Sequence, residues 1–461
     1  MGRVELLVVA DVVLTMEPGA APIAGGAVAI AGDRIVDVGP AAPLLAAHPT
    51  AERLGGPGHL AVPGLVNGHQ HLTGDRLIRS TIPDDLPSER AISNWAVPVH
   101  AAHRADDDEL SATLALVEGV VNGVTFTVEA GTVAHPERVL AAFDRVGVGG
   151  TLGSWGSDTP GLPGSGDVDT VLARQRDVLA LTQGHPRVHG WVTLVGHDLM
   201  SDELVTQASA LALDAGTGLT FHLSPTAADG RRFVARTGHR PLVHLDALGA
   251  LGRHVLVAHA VHVDDDEVAV LLARDVAVVA CPWAYLRLGQ GVTKVGRHAE
   301  LVRRGGRLAL GCDAENAGDA VDVLRAAALF AGLAKDAAAD PAAFGAADAL
   351  RLATLGGAEA VGLGHELGSL RPGKRADVVV VDTTGPAWTP SGGDPYVQLV
   401  FGSDGRAVRH VVSAGRVVVR DGACATVDHR ALAADALAAR ARLLSDGVVV
   451  PRPATREQCR P

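Results

Sequence analysis

The chain has 461 residues, of which 47% are hydrophobic and 20% charged, so it can bury a large core and is not wholly disordered. The formal net charge of -12 argues against an extended surface for nucleic acids or anionic membranes. The chain contains no uninterrupted apolar run of about 18 residues, so we expect no membrane-spanning helix.

The N-terminal segment and the cysteines indicate the compartment. The first residues, MGRVELLVVADVVLTMEPG, lack the basic region, apolar block and small-residue cleavage site of a signal peptide. The four cysteines are widely spaced and form neither a CxxC pair nor a disulfide framework: Cys281, Cys312, Cys424 and Cys459. We therefore expect a soluble, cytoplasmic protein.

Short β-strands are predicted at both ends of the chain. Residues 3–60 contain runs rich in Val and Ile that end at Gly, Pro or Asp, and the same pattern returns in ADVVVVDTTG and RAVRHVVSAGRVVVRDG. We expect one small β-sandwich domain built from residues 1–62 and 365–425. Residues 63–364 would form a separate central domain, and residues 426–461 a C-terminal helical tail.

The central region alternates strand-like and helix-like segments. Stretches with helical spacing, such as 106–122 and 201–216, separate eight apolar runs of strand length, at 60–71, 123–131, 149–158, 188–198, 218–224, 254–263, 276–285 and 307–316. Eight β-α repeats with nearly continuous apolar strands predict a (β/α)8 TIM barrel, because barrel strands are buried on both faces. A doubly wound sheet is the alternative, but no GxGxxG loop follows the first strand.

Polar residues gather at the carboxyl ends of these predicted strands, where a barrel places its chemistry. His69 and His71 have the two-residue spacing that puts both imidazoles on the same side of a strand. His222 ends the fifth strand and Asp313 ends the eighth. Each alone could be a hydrogen-bonded polar residue or a helix cap, but together they predict a catalytic Zn²⁺ or Fe²⁺ site with a position left for water. His259, which ends the sixth strand, would be a fifth convergent imidazole.

Further candidates lie at the same end of the barrel. Trp155, Trp283 and Tyr285 end the third and seventh predicted strands and could form a ring-stacking pocket, although core packing explains each of them equally well. Segment 73–107, which includes Arg79, is long for a loop between strand and helix and is interpreted as a lid or substrate loop. Cys281 and Cys312 lie in apolar strands and are interpreted as small buried packing residues.

Motifs over residues 3 to 425 resemble the amidohydrolase superfamily, in the branch that contains atrazine/triazine hydrolases, guanine deaminase and S-adenosylhomocysteine deaminases. PGLVNGHQH resembles the PGxxNxHxH of that branch, VAHAVHV its AHCVHL, CPWAYLRLGQG its NPxSNLKLGxG and LGCDAEN its LGTDGxxS. LGSLRPGKRADVVVVD resembles its β-sandwich signature. The resemblance implies that His69, His71, His222 and Asp313 are the metal ligands and that His259 lies beside the activated water.

The lysines favour a single metal. Members of the superfamily with two metals bridge them through a carboxylated lysine inside the barrel, whereas the three lysines of this chain all follow residue 293. We therefore expect one divalent ion, Zn²⁺ before Fe²⁺.

The sequence departs from the family pattern at its proton-transfer residues. The glutamate expected three residues after His222, which in deaminases carries a proton from water to the leaving nitrogen, is replaced by Pro225. Ala280 and Tyr285 replace the usual His and Asn of the seventh strand, and His197 lies two residues beyond the usual fourth-strand histidine. His197 remains a candidate substrate-binding residue.

Two glutamates could replace the missing acid/base. Glu129 ends the second strand, next to the strand that carries His69 and His71, and is our first candidate. Glu315 lies two residues after Asp313, so both side chains would point to the same side if the strand continues that far, and it ranks second. A salt bridge for Glu129 and a helix cap for Glu315 are the structural alternatives.

The sequence therefore predicts a metal-dependent hydrolase that acts on a non-peptide C–N bond of a small cyclic or amidine-like substrate. Two alternatives stay open. The same metal site could serve a lyase, a cyclase or a non-deaminating hydrolase, or the chain could be a binding protein that has lost catalysis. We expect a small-molecule substrate, neither nucleic acid nor membrane as a partner, and a homodimer.

Overall fold

The structure is a computed structural model that describes residues 3–445. The predicted C-terminal tail is described as the helix His429–Ser445. The rest of that predicted tail, residues 446–461 with Cys459, lies outside the described residues. Within the described part of the chain, no helix is long and apolar enough to cross a membrane.

Strands from both ends of the chain hydrogen-bond into one eight-stranded sheet. In chain order the strands are Leu6–Val13, Ile23–Ala31, Arg34–Pro40, Glu52–Pro63, Val378–Asp382, Val408–Ser413, Arg416–Arg420 and Ala423–Cys424. The two ends meet where Glu52–Pro63 pairs antiparallel with Val378–Asp382. Val8, Ile30 and Val378 share an apolar cluster on one face of the sheet, and other apolar side chains contact the helix Ala41–Ala47.

Deleting residues 365–461 is expected to give aggregated protein. The deletion removes the strand that pairs with Glu52–Pro63 and exposes both an unpaired strand edge and the apolar cluster around Val8. Size-exclusion chromatography and thermal melting would measure the effect. A chain shortened only after residue 445 serves as the control because it keeps the whole sheet. A soluble deletion variant with a cooperative melting transition would contradict the shared domain.

Eight parallel strands form the central barrel, as predicted. Its strands, called first to eighth below, are Leu65–Gln70, Val124–Glu129, Gly149–Leu152, Val188–Gly190 continued by Val192–Gly196, Leu219–Leu223, Val255–His259, Ala277–Ala280 and Leu308–Leu310. Trp191 interrupts the fourth strand and donates its backbone N–H to the carbonyl of Leu152. The barrel closes where the N–H groups of Cys312 and Asp313 donate to the carbonyl of His69, at 3.1 and 2.9 Å.

The helices follow the strands in sequence and cover the barrel. Ser201 caps the helix after the fourth strand by accepting the N–H of Leu204, as its sequence indicates. The helices are Ala105–Val121, Pro136–Val146, Val168–Leu181, Asp202–Asp214, Ala227–Thr237, Pro241–Ala247, Asp265–Ala273, Pro282–Arg287, Val292–Val295, His298–Arg303, Val323–Ala338, Ala346–Ala353, Leu355–Ala360, Pro395–Gly402 and His429–Ser445.

The segment predicted as a lid folds into short helical turns after the first strand. These turns are Asp75–Ile78, Ser88–Ala91, Ile92–Ala96 and Val97–Ala102. Trp95 and Val99 pack with Ala439 and Leu443 of the C-terminal helix. Arg440 of that helix donates hydrogen bonds to the carbonyl of Arg79 and to the hydroxyl of Thr81. The C-terminal helix therefore holds this segment in place beside the barrel mouth.

Most of the predicted barrel strands are shorter than expected. Residues 60–63 of the first predicted strand belong to the eight-stranded sheet instead, and the eighth strand spans only Leu308–Leu310. The third strand ends at Leu152, so Trp155 lies beyond the strand end, and a side chain at Gly153 would lie about 2.1 Å from Thr193, which requires glycine at that position. The seventh ends at Ala280 because Pro282 begins a helix, in which proline is favoured at the first position. Trp283 and Tyr285 therefore lie in a helix and not at a strand end.

Candidate metal centre

Four predicted ligands converge at the carboxyl end of the barrel. His69 lies in the first strand and His71 directly follows it, while His222 lies in the fifth strand and Asp313 follows the eighth. Asp313 Oδ1 lies 3.6 Å from His69 Nε2 and 3.5 Å from His71 Nε2. The ring centroids of His69 and His222 are 4.8 Å apart. The barrel therefore brings together side chains that are more than 240 residues apart in sequence.

Neighbouring groups orient two of these imidazoles. His222 Nδ1 contacts the carbonyl of Val195, which can only accept a hydrogen bond, so Nδ1 carries the proton and Nε2 keeps its lone pair. His71 Nδ1 lies 3.0 Å from the hydroxyl of Thr132. The two Nε2 atoms point at the same space and lie 3.1 Å apart. In metal sites the ring nitrogen that does not bind the metal typically makes such a hydrogen bond to a neighbouring group.

The donor set fits a divalent cation. Both ring nitrogens of His69 are buried and have no hydrogen-bond partner among residues 3–445. Burial, together with the neighbouring imidazoles, lowers the pKa of His71, and burial lowers that of His222 to about 4, so both rings are neutral at pH 7. Burial alone would raise the pKa of Asp313, but the nearby imidazoles of His69, His259 and His71 lower it overall. Three neutral imidazoles and a carboxylate are donors that suit Zn²⁺ or Fe²⁺.

His259 lies beside this set in a strained backbone conformation. Its ring centroid is 5.4 Å from that of His69 and 5.3 Å from that of His222. Its φ of +77° is in the left-handed region, which costs a non-glycine residue about 1–3 kcal/mol. Two side chains hold its carbonyl: Tyr285 donates its hydroxyl at 3.3 Å, and His298 Nε2 lies at 2.6 Å. The strain and these contacts together aim the His259 ring into the site.

The two candidate acid/base residues have different surroundings. Glu129 is fully buried, and its carboxylate accepts the N–H groups of Gly131 and Thr132 at 2.6 and 3.4 Å. Burial raises the pKa of Glu129 to about 8. Glu315 accepts a hydrogen bond at 2.8 Å from Arg76, and its second oxygen is buried without a partner among the described residues. Burial also raises the pKa of Glu315. The predicted helix-cap role of Glu315 is not observed.

The proposed substrate residues have different contacts. Trp155 packs edge-on against His100 at 5.3 Å, and Arg79 forms ion pairs with Glu118 and Asp319. The guanidinium group of Arg325 covers Trp283, and the buried Tyr285 packs against His259. The backbone N–H of His197 donates to the carbonyl of His222, and its ring packs on Phe233. Of these residues, Tyr285 and His197 contact a strand that carries a predicted site histidine.

The sequence analysis missed two residues at the site and the position of a third. Thr132 contacts His71, and His298 contacts the carbonyl of His259. Cys281, interpreted from sequence as packing, is buried as expected, but its sulfur also lies within 4.8 Å of ligand atoms of His259 and Asp313. The position of Cys281 at the end of the seventh predicted strand could have indicated that it lies near the site.

The lysine positions agree with a site that lacks a bridging lysine. Lys294 and Lys335 lie in helices of the outer layer. Lys374 donates to the carbonyls of Gly364 and Leu367, at the base of the β domain.

Comparison with known proteins extends these observations. The model of the amidohydrolase family matches residues 60–418, and that of a bacterial imidazolonepropionase-like composite domain matches residues 26–51. A 5-methylthioadenosine/S-adenosylhomocysteine deaminase of Syntrophobacter fumaroxidans is 32% identical over 419 residues, which cover 91% of this chain and 94% of the relative.

Solved structures show the same architecture. A zinc-bound adenosine deaminase of Xanthomonas campestris superimposes with a TM-score of 0.89 at 28% identity, covering 96% of this chain and 99% of the other. An atrazine chlorohydrolase of Arthrobacter aurescens, at 22% identity, shares the fold with a TM-score of 0.83 and covers 94% of this chain and 100% of the other.

Proposed function

This chain belongs to the amidohydrolase family and is a metal-dependent hydrolase of non-peptide C–N bonds, and from that premise we propose that it deaminates an adenosine-type nucleoside. The observation that carries the proposal is the convergence of His69, His71, His222 and Asp313, with two imidazole nitrogens 3.1 Å apart. The named activity of a relative that aligns over 91% of the chain supports the substrate class.

We further propose that the divalent ion is zinc, held by His69, His71, His222 and Asp313. The donor set of nitrogen and carboxylate atoms supports this choice, as does the zinc in the adenosine deaminase that shares the fold. When bound, such an ion supplies a Lewis acid that makes water nucleophilic at neutral pH.

We propose that His259 holds the attacking water by a hydrogen bond. Burial lowers the pKa of His259 to about 3, so the ring is neutral at pH 7 and can accept a hydrogen bond. The contacts of its carbonyl with Tyr285 and His298 keep the ring in one orientation while the oxygen of water adds to the sp² carbon.

Glu129 is our proposal for the residue that carries the proton to the leaving nitrogen. Its pKa near 8 means that it is a neutral acid at pH 7, as general acid catalysis requires. It also anchors the loop that positions Thr132 against His71.

Glu129→Gln is therefore expected to lower kcat by about 10²- to 10⁴-fold at constant metal content. Glu315→Gln is the matched control, because Glu315 is equally buried but is paired with Arg76, and it should lower kcat less. If Glu129→Gln keeps nearly full kcat, Glu129 does not carry the proton.

A second candidate function follows from Pro225. The residue lies in the turn between the fifth strand and the helix Ala227–Thr237, and its side chain can neither accept nor donate a proton. A hydrolase without a proton donor favours a leaving group that departs as an anion, since that group needs no protonation. Hydrolysis without ammonia release is therefore the alternative.

Incubating the zinc-loaded protein with adenosine, 5'-methylthioadenosine and S-adenosylhomocysteine separates the two functions. Deamination releases ammonia and replaces the amino group by oxygen, and both ammonia and the mass change are measurable. We expect ammonia and the oxo product in equal amounts from at least one of these substrates. A loaded protein that converts none of them would contradict the nucleoside proposal.

A further inference from the structure

The seam between the first and eighth barrel strands has no regular ladder of backbone hydrogen bonds. Within residues 3–445, the first strand pairs regularly only with the second, and the eighth only with the seventh. A bridge between Gln70 and Asp313 and the N–H groups that donate to the His69 carbonyl cross the seam instead. His69 and His71 lie on one side and Asp313 on the other, so the width of the seam sets the spacing of these ligands.

The side-chain amide of Asn67 spans this seam. Its Oδ1 accepts the N–H of His69 in its own strand at 3.3 Å and the N–H of Cys312 across the seam at 3.1 Å. Because both partners are donors, the atom that faces them is the oxygen, and the NH₂ group donates to Gln70 Oε1 at 3.0 Å. Asn67 is fully buried, so bulk water does not compete for these contacts. The amide therefore ties His69 to the residue directly before Asp313.

Close packing of the two strands fixes the position of this amide. A side chain at Gly68 would lie 2.8 Å from the Cβ of Ala309 in the eighth strand, and one at Gly311 would lie 3.0 Å from the Cβ of His69. Glycine at both positions lets the two backbones approach closely. In so tight a seam the Asn67 amide has little freedom to turn, so its hydrogen bonds fix the two strands relative to each other.

The turn that carries Asp313 depends on such contacts. Asp313 has a φ of +64°, in the left-handed region, and a strained residue of this kind persists only where its surroundings hold it. The backbone N–H of Cys312, directly before it, donates to Asn67, and the N–H of Asp313 donates to the carbonyl of His69 at 2.9 Å. The direction of the Asp313 carboxylate therefore follows from contacts with the first strand.

We propose that Asn67 is a positioning residue for the metal centre, because it holds the strand of His69 and His71 and the turn of Asp313 at the spacing that one ion requires. Asn67 acts through the backbone of its partners and is not itself a ligand. Removal of side chains that orient ligands typically lowers metal affinity by about 10- to 100-fold. The inference rests on the proposed metal site and not on the choice of a nucleoside as substrate.

The zinc affinity of Asn67→Ala tests this role. The metal-free full chain is titrated with Zn²⁺ in competition with a chromophoric chelator, and we expect binding weaker by about 10- to 100-fold. Asn67→Asp keeps an oxygen for the two backbone N–H groups and should regain most of the affinity. Asn122→Ala is the matched control, since the Asn122 amide donates to the carbonyl of Val321 at 2.9 Å, near the amino end of the second strand. This control should bind zinc as the wild type does.

The visible absorption of the Co²⁺-loaded protein adds a readout that a loss of stability alone would not change. The ligand-field bands of Co²⁺ depend on the geometry of its donors. We expect Asn67→Ala to alter these bands and Asn122→Ala to leave them unchanged. Should circular dichroism show that Asn67→Ala folds poorly, Gln70→Leu is the second variant. It removes the partner that orients the Asn67 amide and should weaken zinc binding in the same direction.

The outcomes separate this inference from the proposed function. A wild-type protein that binds no zinc would contradict the metal site on which the inference rests. A folded Asn67→Ala protein with wild-type zinc affinity and wild-type cobalt bands would overturn the positioning role alone. An equal loss of affinity in Asn122→Ala would also overturn it, because the effect would then reflect a general loss of stability.

Discussion

Replacing Asp313 with alanine is expected to remove the bound metal and the hydrolytic activity together. Asp313 is the anionic donor of the proposed set, and its Oδ1 lies 3.6 and 3.5 Å from the Nε2 atoms of His69 and His71. Residues behind the ligands typically change metal affinity by about 10- to 100-fold, and loss of a ligand itself costs more. Elemental analysis and turnover of the active nucleoside measure the two effects.

Asp319→Ala is the matched control for the Asp313 variant. Asp319 lies in the same loop after the eighth strand, but its carboxylate pairs with Arg79 at the surface of the lid segment. This variant should keep one metal ion per chain. An Asp313→Ala protein that still binds one metal and turns over at the original rate would contradict the assignment of the ligands.

Replacing His259 with alanine is expected to lower kcat by about 10²- to 10⁴-fold while the metal remains bound. The four proposed ligands do not include His259, so the ion keeps its donors. Tyr285 and His298 hydrogen-bond with the backbone carbonyl of His259, so both hydrogen bonds survive the substitution, whereas the ring contact with Tyr285 is lost. The lost group is the imidazole that orients the attacking water.

The control for His259 is a histidine near the other end of the same strand. His254 precedes the sixth strand and lies 2.9 Å from the hydroxyl of Ser209, away from the metal centre. His254→Asn should leave kcat and metal content nearly unchanged. Loss of the metal from His259→Ala would show that His259 is a ligand, and full activity would show that it has no part in catalysis.

Patterns within short stretches of the sequence predicted much of the architecture. Period-two spacing placed His69 and His71 on the same side of the first strand, and alternating apolar and helical segments predicted eight strands in a barrel. Strand lengths were less well predicted, because an apolar run continues into a buried helix as readily as into a strand. The run 276–285 contains both the seventh strand and the start of the helix Pro282–Arg287.

Roles that depend on side-chain direction were not predictable from these patterns. Glu129 and Glu315 both end strands or follow them, yet one carboxylate binds the backbone of its own loop and the other binds Arg76 from the lid segment. Which group each carboxylate binds depends on how the loops and helices pack at the barrel mouth.

The sequence by itself determined the barrel, the order of its donors and the family resemblance, because strand periodicity and strand-end position are local properties of the chain. The tertiary structure decided what surrounds each donor. Barrel closure between His69 and Asp313 brings Cys281 beside His259 and places His298 against the His259 carbonyl. Such contacts join residues from different strands and helices, and their distances follow from strand register and packing, which no short sequence pattern encodes.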